Sequence, residues 1–356
     1  MKIVTIIGAR PQFIKTAAVS KAIAEHPLIQ EIVIHTGQHF DENMSAVFFE
    51  EMGIEKPAYH LAIHSFSHGA MTGKMLEKIE KILLIEKPDW VLVYGDTNST
   101  LAGALAAKKQ QIKVAHVEAG LRSFNMRMPE EINRVMTDRI SDILFCPTQH
   151  AVDNLEREGF SSLDCKIVKT GDVMLDAALH FAPLQRKPAV GLPDEFILST
   201  FHRAENTDDS NALKNIAKAL DEISLNTPVV CPLHPRTKAK LTENGYDFTK
   251  SPIIFIDPVG YLEMIWLLSH AVLVMTDSGG LQKEAYFFQK YCITLRKETE
   301  WIELVQQGVN FLTGTDTALI VTTYRQQRNK IADNFNTPLY GDGKAAEKIV
   351  RELRKI

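Results

Sequence analysis

The sequence predicts an α/β protein of two Rossmann-like, doubly wound domains, and three observations predict it. Short β-branched runs alternate with longer stretches of helical spacing, the short runs are apolar on both faces, and the alternation passes through two cycles. A strand that is apolar on both faces needs a helix above and below it, which is the situation of a parallel sheet in an α/β fold. At 356 residues the chain exceeds one ordinary core and suits two domains of roughly 150–180 residues each.

In the first cycle, strands are expected at 3–7, 31–35, 90–94, 113–117 and 143–146. Helices are expected at 12–25, 44–52, 72–84, 101–109, 131–140 and 150–158. Pro88 stops the preceding helix before Trp-Val-Leu-Val-Tyr at 90–94, and the stretch 101–109 is rich in alanine, the best helix former. A second cycle opens with a strand at 166–170. The stretch 183–193, with Pro183, Pro188 and Pro193, reads as a surface connection. Strands follow at 196–200, 229–232, 253–256, 271–275 and 291–295, with helices at 211–223, 261–269 and 282–288. The last helix, 343–355, comes after the turn Tyr340-Gly341-Asp342-Gly343. In such sheets ligands bind beyond the carboxyl ends of the strands, so the active site is expected in a cleft between the two domains.

Composition narrows the function. Net charge is −4, so no overall basic field would draw in nucleic acid or an anionic membrane. A polyanionic substrate would have to be held by local groups. No run reaches the ~18 apolar residues of a membrane span. The chain enters a short apolar strand at once, without a signal-peptide pattern, and a cytoplasmic location is expected. Cys146, Cys165, Cys231 and Cys292 are scattered, so reduced thiols are expected rather than disulfides or zinc ligands.

Four strand ends carry groups suited to a nucleoside diphosphate. Thr276-Asp277-Ser278-Gly279-Gly280 follows a strand and opens a helix. Gly279 and Gly280 let backbone N–H groups approach an anion; Ser278 can cap the helix or donate to phosphate, and Glu284 could accept from ribose hydroxyls. Gly8-Ala9-Arg10-Pro11 is the first strand-to-helix turn, with Arg10 and Lys15 at its mouth; it is not G-x-G-x-x-G, so a dinucleotide site is poorly supported. His202-Arg203 and His234-Pro235-Arg236 each set a histidine and an arginine beyond a strand end, where both can donate to phosphate oxygens. Each feature alone could equally be an ordinary helix start or a structural histidine.

Three acids stand at strand ends or the adjoining helix start: Asp96 in Gly95-Asp96-Thr97, Glu118 in His116-Val117-Glu118-Ala119-Gly120-Leu121-Arg122, and Glu130 in Pro129-Glu130-Glu131. They are raw material for general acid/base chemistry, although Asp96 could be a helix cap and Glu130 a helix-dipole carboxylate. His60, His64 and His68 are spaced by four, but Ser65, Ser67 and Gly69 read as loop, and no metal site is assigned.

Taken as an ordered set, Gly8-Ala9-Arg10-Pro11, Gly95-Asp96-Thr97, the run 116–122, Pro129-Glu130-Glu131 and Asp277-Ser278-Gly279-Gly280 resemble the non-hydrolysing UDP-N-acetylglucosamine 2-epimerases over nearly the whole chain. Gln12-Phe13-Ile14-Lys15, the run 123–129, His234-Pro235-Arg236-Thr237 and Thr299-Glu300-Trp301 resemble the subgroup acting on UDP-2,3-diacetamido-2,3-dideoxyglucuronate, used for bacterial surface polysaccharides such as O-antigen. The parent group tends to carry Arg-Pro after the Thr-Glu, where Trp301 stands here. The resemblance implies a glycosyltransferase-B arrangement with domains 1–171 plus 343–356 and 172–342, a homodimer, and no cofactor. It implies Asp96, Glu118, Glu130 and His202 as catalytic residues. It implies Arg10, Lys15, Arg122, Arg203, His234, Arg236, Ser278, Gly279, Gly280 and Glu284 as ligands of UDP or substrate. Some relatives also have a regulatory sugar-nucleotide site, whose motif is partly matched by Gln38-His39-Phe40.

The implied chemistry suits these groups. No carbonyl activates the proton at C2 of such a sugar. Transient oxidation would need a nicotinamide, whose fingerprint is missing from the sequence. Expelling UDP from C1 while a carboxylate removes the C2 proton needs only acid/base groups and an anion cradle. The alternatives are a UDP-sugar transferase of the same architecture, a hydrolysing epimerase, or a catalytically inert sugar-nucleotide sensor. Arg122, Arg127 and Arg236 are the candidate partners for a uronate carboxylate.

Overall fold

A computed structural model of the chain describes residues 1–38, 52–54, 56–330 and 333–355. Its contacts divide into two compact units, Met1–His180 with Pro338–Ile356, and Phe181–Thr337. Helix α6 (Val173–Phe181) lies almost wholly in the first unit because its Asp176 carboxylate accepts the Ala346 amide, at 2.7 Å, from the C-terminal helix α14 (Ala345–Leu353).

The first unit is built on seven parallel strands: β1 (Lys2–Ile7), β2 (Gln30–His35), β3 (Tyr59–His60), β4 (Trp90–Tyr94), β5 (Lys113–Val117), β6 (Ile143–Cys146) and β7 (Lys166–Lys169), in the order β3-β2-β1-β4-β5-β6-β7. Chain order runs outward in both directions from the β1/β4 pair, whose register is Ile3↔Trp90 to Ile6↔Val93. The helices are α1 (Arg10–Ala24), α2 (His68–Glu86), α3 (Asn98–Lys109), α4 (Pro129–Ile140) and α5 (Gln149–Arg157). One face of the sheet packs Val4, Ile6, Ile34, Val91 and Val93 against Met75, Ile79 and Leu83 of α2 and the alanines of α3. Helix α3 can lie this close because it is small-sided: a Cβ on Gly103 would come within 2.6 Å of Ile6 Cδ1. Its start is set by Thr97, whose hydroxyl accepts the Thr100 amide.

The second unit has six parallel strands: β8 (Ile197–Thr200), β9 (Val229–Pro232), β10 (Ile254–Ile256), β11 (Leu273–Thr276), β12 (Cys292–Thr294) and β13 (Asn310–Leu312), in the order β10-β9-β8-β11-β12-β13. Here the order reverses at β8/β11. The helices are α7 (Ala204–Thr207), α8 (Ser210–Ser224), α9 (Pro235–Glu243), α10 (Tyr261–His270), α11 (Gly279–Phe287), α12 (Ile302–Gln306) and α13 (Thr317–Gln327). Phe196, Leu198, Val230, Leu267, Leu268, Val274 and Ala285 form its core.

The α/β reading with two parallel sheets therefore holds. The strand expected to open the second cycle instead closes the first sheet: β7 pairs with β6 from Ile143↔Lys166 to Cys146↔Lys169, with a lysine at each end of an edge strand. The helix expected at 44–52 lies outside the described residues apart from Met52, as do His39 and Phe40. All four cysteines are free thiols, and burial pushes that of Cys292 up to about 12, far from the range of a nucleophile. No helix among the described residues is long and apolar enough to cross a membrane.

Two left-handed glycines allow a controlled test. Gly120 has φ +80°, and a Cβ there would meet the Ala151 carbonyl oxygen at 2.4 Å; Gly159 has φ +81° and nothing within 4 Å. Gly159→Ala is expected to cost about 1–2 kcal/mol for the backbone alone, and Gly120→Ala about 1–3 kcal/mol more for the clash, measured by urea unfolding.

Candidate active site

In the first unit the candidate residues Lys15, Asp96 and Glu118 lie around the β1/β4 switch point, where strand order reverses and a parallel sheet leaves a crevice beyond its strand ends. Gly8, after β1, has no room for a side chain: a Cβ would lie 2.1 Å from Thr36 Oγ1 and 2.2 Å from Ser99 Oγ. The buried Gln12 side chain ties the two turns together. Its Oε1 accepts the Gly8 and Ala9 amides at 2.8 and 3.1 Å, and its Nε2 donates to Tyr94 O at 2.8 Å and to the Thr97 and Thr100 hydroxyls at 3.0 Å each.

One turn further along α1, Lys15 forms a buried ion pair with Glu118 at the end of β5. Glu118 is a non-glycine residue at φ +72°, in a region that costs such a side chain energy, and local strain of this kind concentrates at functional sites. The Glu118 and Ala119 amides both donate to Phe145 O at 3.1 Å, which holds the turn. Gly95, also left-handed, leaves the space this pair occupies: a Cβ would approach Lys15 Nζ at 3.3 Å and Glu118 Oε1 at 3.4 Å.

Asp96 is half-buried beside them and pairs with Arg134 of α4 at 2.6 Å. The other arm of Arg134 pairs with Glu131. Glu131 in turn accepts the Ser123 amide and hydroxyl at 3.0 Å each and the Phe124 amide at 2.9 Å, fixing the start of the loop that leads into α4. Asn133 adds a bond to Asp96 O at 2.9 Å. Glu130, in the first turn of α4, is half-buried, and its side chain makes no hydrogen bond or ion pair within the described residues.

Behind the turns lies a buried charge chain. His116 Nδ1 donates to Asp138 at 2.7 Å, and His116 Nε2 to Gly95 O at 2.7 Å. The ring is thus bridged between the Asp138 carboxylate and the Gly95 carbonyl. Asp138 also accepts from the Gly120 amide at 3.1 Å and from Arg122 at 2.7 Å. Burial would push the Asp138 carboxyl up, but the His116 and Arg122 contacts outweigh it and hold it below the ordinary carboxylate range. Arg122 is otherwise forked onto Glu158 at 2.7 and 2.8 Å. Its guanidinium, expected to face substrate or a uronate, is spent inside the protein.

In the second unit the centre is Asp277, fully buried after β11. Its carboxylate accepts the His202 amide at 3.0 Å, the Arg203 amide at 3.0 Å and the Asn206 side chain at 3.0 Å, tying the turn after β8 to the start of α11. Ser278 stands at the N-cap of α11, yet its hydroxyl does not cap the helix. Around Gly279 a Cβ would find only ordinary contacts, Trp301 Nε1 at 3.6 Å, Glu300 Oε2 at 3.7 Å and Arg203 Nη2 at 3.8 Å, so packing within the protein does not require glycine there. The His202 ring, half exposed, lies 6.5 Å from that of His234. His234 caps α9 by accepting the Arg236 amide on Nδ1 at 3.2 Å, which leaves Nε2 as the N–H. Arg236 reaches Asp208 at 2.7 Å, and Glu284 is buried on α11.

A family model described as UDP-N-acetylglucosamine 2-epimerase matches residues 21–354. The chain belongs to the UDP-N-acetylglucosamine 2-epimerase family. A relative from Pseudomonas aeruginosa, named UDP-2,3-diacetamido-2,3-dideoxy-D-glucuronate 2-epimerase, is 58% identical over all of both chains. The UDP-N-acetylglucosamine 2-epimerase of Methanocaldococcus jannaschii is 46% identical over 99% of each. A crystal structure of the M. jannaschii enzyme in complex with UDP-GlcNAc and UDP superposes with a TM-score of 0.93, covering all of both chains at 44% identity. One from Neisseria meningitidis bound to UDP-GlcNAc gives 0.90 at 31%, again covering all of both chains.

Within this epimerase-family chain, the structure brings Asp96, Glu118 and Lys15 to one sheet edge and His202, Arg203, Ser278, Gly279 and His234 to another. Arg10 is half-buried in the first turn of α1. Lys15 turns to Glu118, and Arg122 and Arg236 to carboxylates of their own unit. His60 stacks on His35 at 4.6 Å, His64 meets Ser65 and His68 meets Asn98, so the three spaced histidines do not converge. Sequence reasoning missed Gln12, Arg134, Asp138 and Asn206 as organisers. A polar residue just before the apolar Phe13-Ile14 pair was the available signal for Gln12; Asp138, in a helix rich in charged residues, carried none.

Asp138→Asn is expected to cost about 3–5 kcal/mol near pH 7, because it strips the carboxylate from the buried Arg122 guanidinium and removes the acceptor of His116. The Asp138 pKa is depressed in the folded state, so its stabilisation is present above the ordinary carboxylate value and lost as pH falls through the folded one. Urea unfolding from pH 7 downward should show the gap between wild type and variant constant to about pH 4 and closing below it.

Proposed function

We propose that the chain interconverts a UDP-linked N-acetylated hexosamine and its C2 epimer by eliminating UDP and adding it back. A carboxylate takes the proton from C2 as the C1–O bond breaks; the bond's electron pair leaves with UDP, and C1=C2 forms. UDP then returns to C1 through an oxygen of its freed β-phosphate while an acid delivers a proton to the opposite face of C2. The atoms balance without oxidant or reductant.

One observation carries the reading: in a chain of this family, two carboxylates, Asp96 and Glu118, stand at the carboxyl ends of adjacent strands, each paired to a buried cation. Carboxylates at strand ends beyond a sheet are placed for general acid/base work. Glu130, with no cation bound to it among the described residues, completes the set of acid/base groups. Ser278, Gly279, Gly280, Arg203, His202 and His234, with Arg10, are the groups we assign to the diphosphate, whose charge grows as UDP leaves. Glu284 we assign to the ribose.

The name of the P. aeruginosa relative supports UDP-2,3-diacetamido-2,3-dideoxyglucuronate as substrate, and the UDP-GlcNAc complexes of the more distant structures support UDP-N-acetylglucosamine as the second reading. A cytoplasmic homodimer serving surface-polysaccharide synthesis belongs to the same proposal. Each sugar nucleotide incubated with enzyme alone in D2O should separate the readings. The product of the true substrate carries deuterium at C2, with no acceptor added and no stoichiometric free sugar. Unchanged sugar without an acceptor would indicate a transferase, and free sugar plus UDP a hydrolase.

Two variants test the assigned roles. Glu118→Gln is expected to lower kcat about 10²–10⁴-fold while UDP affinity, read by calorimetry, stays within a factor of two or so of wild type. Gly279→Ala should leave thermal stability unchanged, since the added methyl meets no clash, yet weaken UDP binding about tenfold or more by blocking backbone approach.

A further inference from the structure

We infer that the indole N–H of Trp301 is a further donor to the substrate's diphosphate, polarised by the Lys283 ammonium that sits on its ring. The inference rests on the UDP-sugar reading above and deepens it by adding a positioning group to the anion cradle. Trp301 is 4% exposed, and its Nε1 lies 3.6 Å from where a Cβ of Gly279 would be. The N–H edge of the ring therefore borders the space over the bare backbone at the start of α11.

The placement is built from several sides. The Trp301 amide donates to Thr299 Oγ1 at 3.1 Å, and that hydroxyl donates to Gln282 Oε1 at 2.7 Å. The same Gln282 oxygen accepts Asn310 Nδ2 at 2.9 Å, and Gln282 Nε2 donates to Ser278 O at 3.3 Å. Buried polar side chains thus lock the segment carrying the indole to the first turn of the helix it faces. The neighbouring Glu300 carboxylate would repel an anion, but Arg296 forks it at 3.0 and 3.1 Å.

Lys283, next to Gln282 on α11, is 1% exposed, with its ammonium 4.1 Å from the indole centroid. A cation on the ring face draws electron density from the N–H and adds positive potential on the side where a diphosphate would lie. The donor then strengthens as charge builds on the departing UDP. A tryptophan serving only as core filler needs neither a buried ammonium behind it nor its N–H edge turned to a glycine.

Trp301→Phe keeps an aromatic face for Lys283 and removes only the donor. Calorimetry with UDP and ligand-observed NMR with uridine separate the diphosphate contact from general integrity of the site. The expected result is UDP affinity lowered about tenfold or more, uridine affinity unchanged, and kcat lowered. Unchanged UDP affinity, or equal loss for UDP and uridine, would overturn the inference. If Trp301→Phe does not fold, Lys283→Met is read in the same way, with weaker selective loss for UDP expected and no selective loss overturning it. A wild-type protein that bound no UDP would instead remove the functional reading itself.

Discussion

Everything at the candidate site depends on one topological constraint: in each unit, neighbouring parallel strands, β1 with β4 and β8 with β11, send their following helices away in opposite directions. The chain cannot fill the space beyond such a pair, and the turns there expose backbone and short polar side chains. The residues that matter most are those that keep these turns close without closing them. Gly8 leaves room for the Thr36 and Ser99 side chains and Gly95 for those of Lys15 and Glu118, Gln12 bonds both turns at once, and Asp277 does the same in the second unit with three hydrogen bonds.

The second constraint is electrostatic. Desolvated charges are tolerated only when paired and hydrogen-bonded, and the first unit meets this rule in two layers. The outer layer pairs Lys15 with Glu118 and Arg134 with Asp96, leaving each carboxylate at a strand end. The inner layer, His116, Asp138, Arg122 and Glu158, fastens the backbone on either side of them through Gly95 O and the Gly120 amide. The strain at Glu118, φ +72°, persists because both layers grip the turn. In the second unit the buried Asp277 holds the His202–Arg203 turn, and the buried Arg296 is forked onto Glu300.

Much of the fold was legible because periodicity is a strong signal where a strand is buried on both faces. The strands 90–94, 113–117, 143–146 and 229–232 have the bounds expected of them. What was missed lacked that contrast. Helix α6, Val-Met-Leu-Asp-Ala-Ala-Leu-His-Phe, is apolar nearly all round and shows no helical face; α9 is polar and starts from Pro235; α13 is rich in threonine; β3 is only two residues long. The edge position of β7 depends on pairing, which composition does not carry. At the site, the motifs marked the acids and the cradle glycines. They did not show that Lys15 and Arg122 are committed to carboxylates, because partners such as Glu118, Asp138 and Glu158 come from different strands and helices and meet only in the folded sheet.

The central claim is that epimerisation proceeds by breaking and remaking the C1–O bond of the sugar nucleotide. Substrate carrying ¹⁸O in the bridge between C1 and the β-phosphorus tests it most directly. Bond breakage frees the β-phosphate to rotate, so recovered sugar nucleotide should show the label spread into non-bridging positions as epimerisation proceeds, observed by ³¹P NMR. Label retained wholly in the bridge while the C2 epimer accumulates would contradict the account.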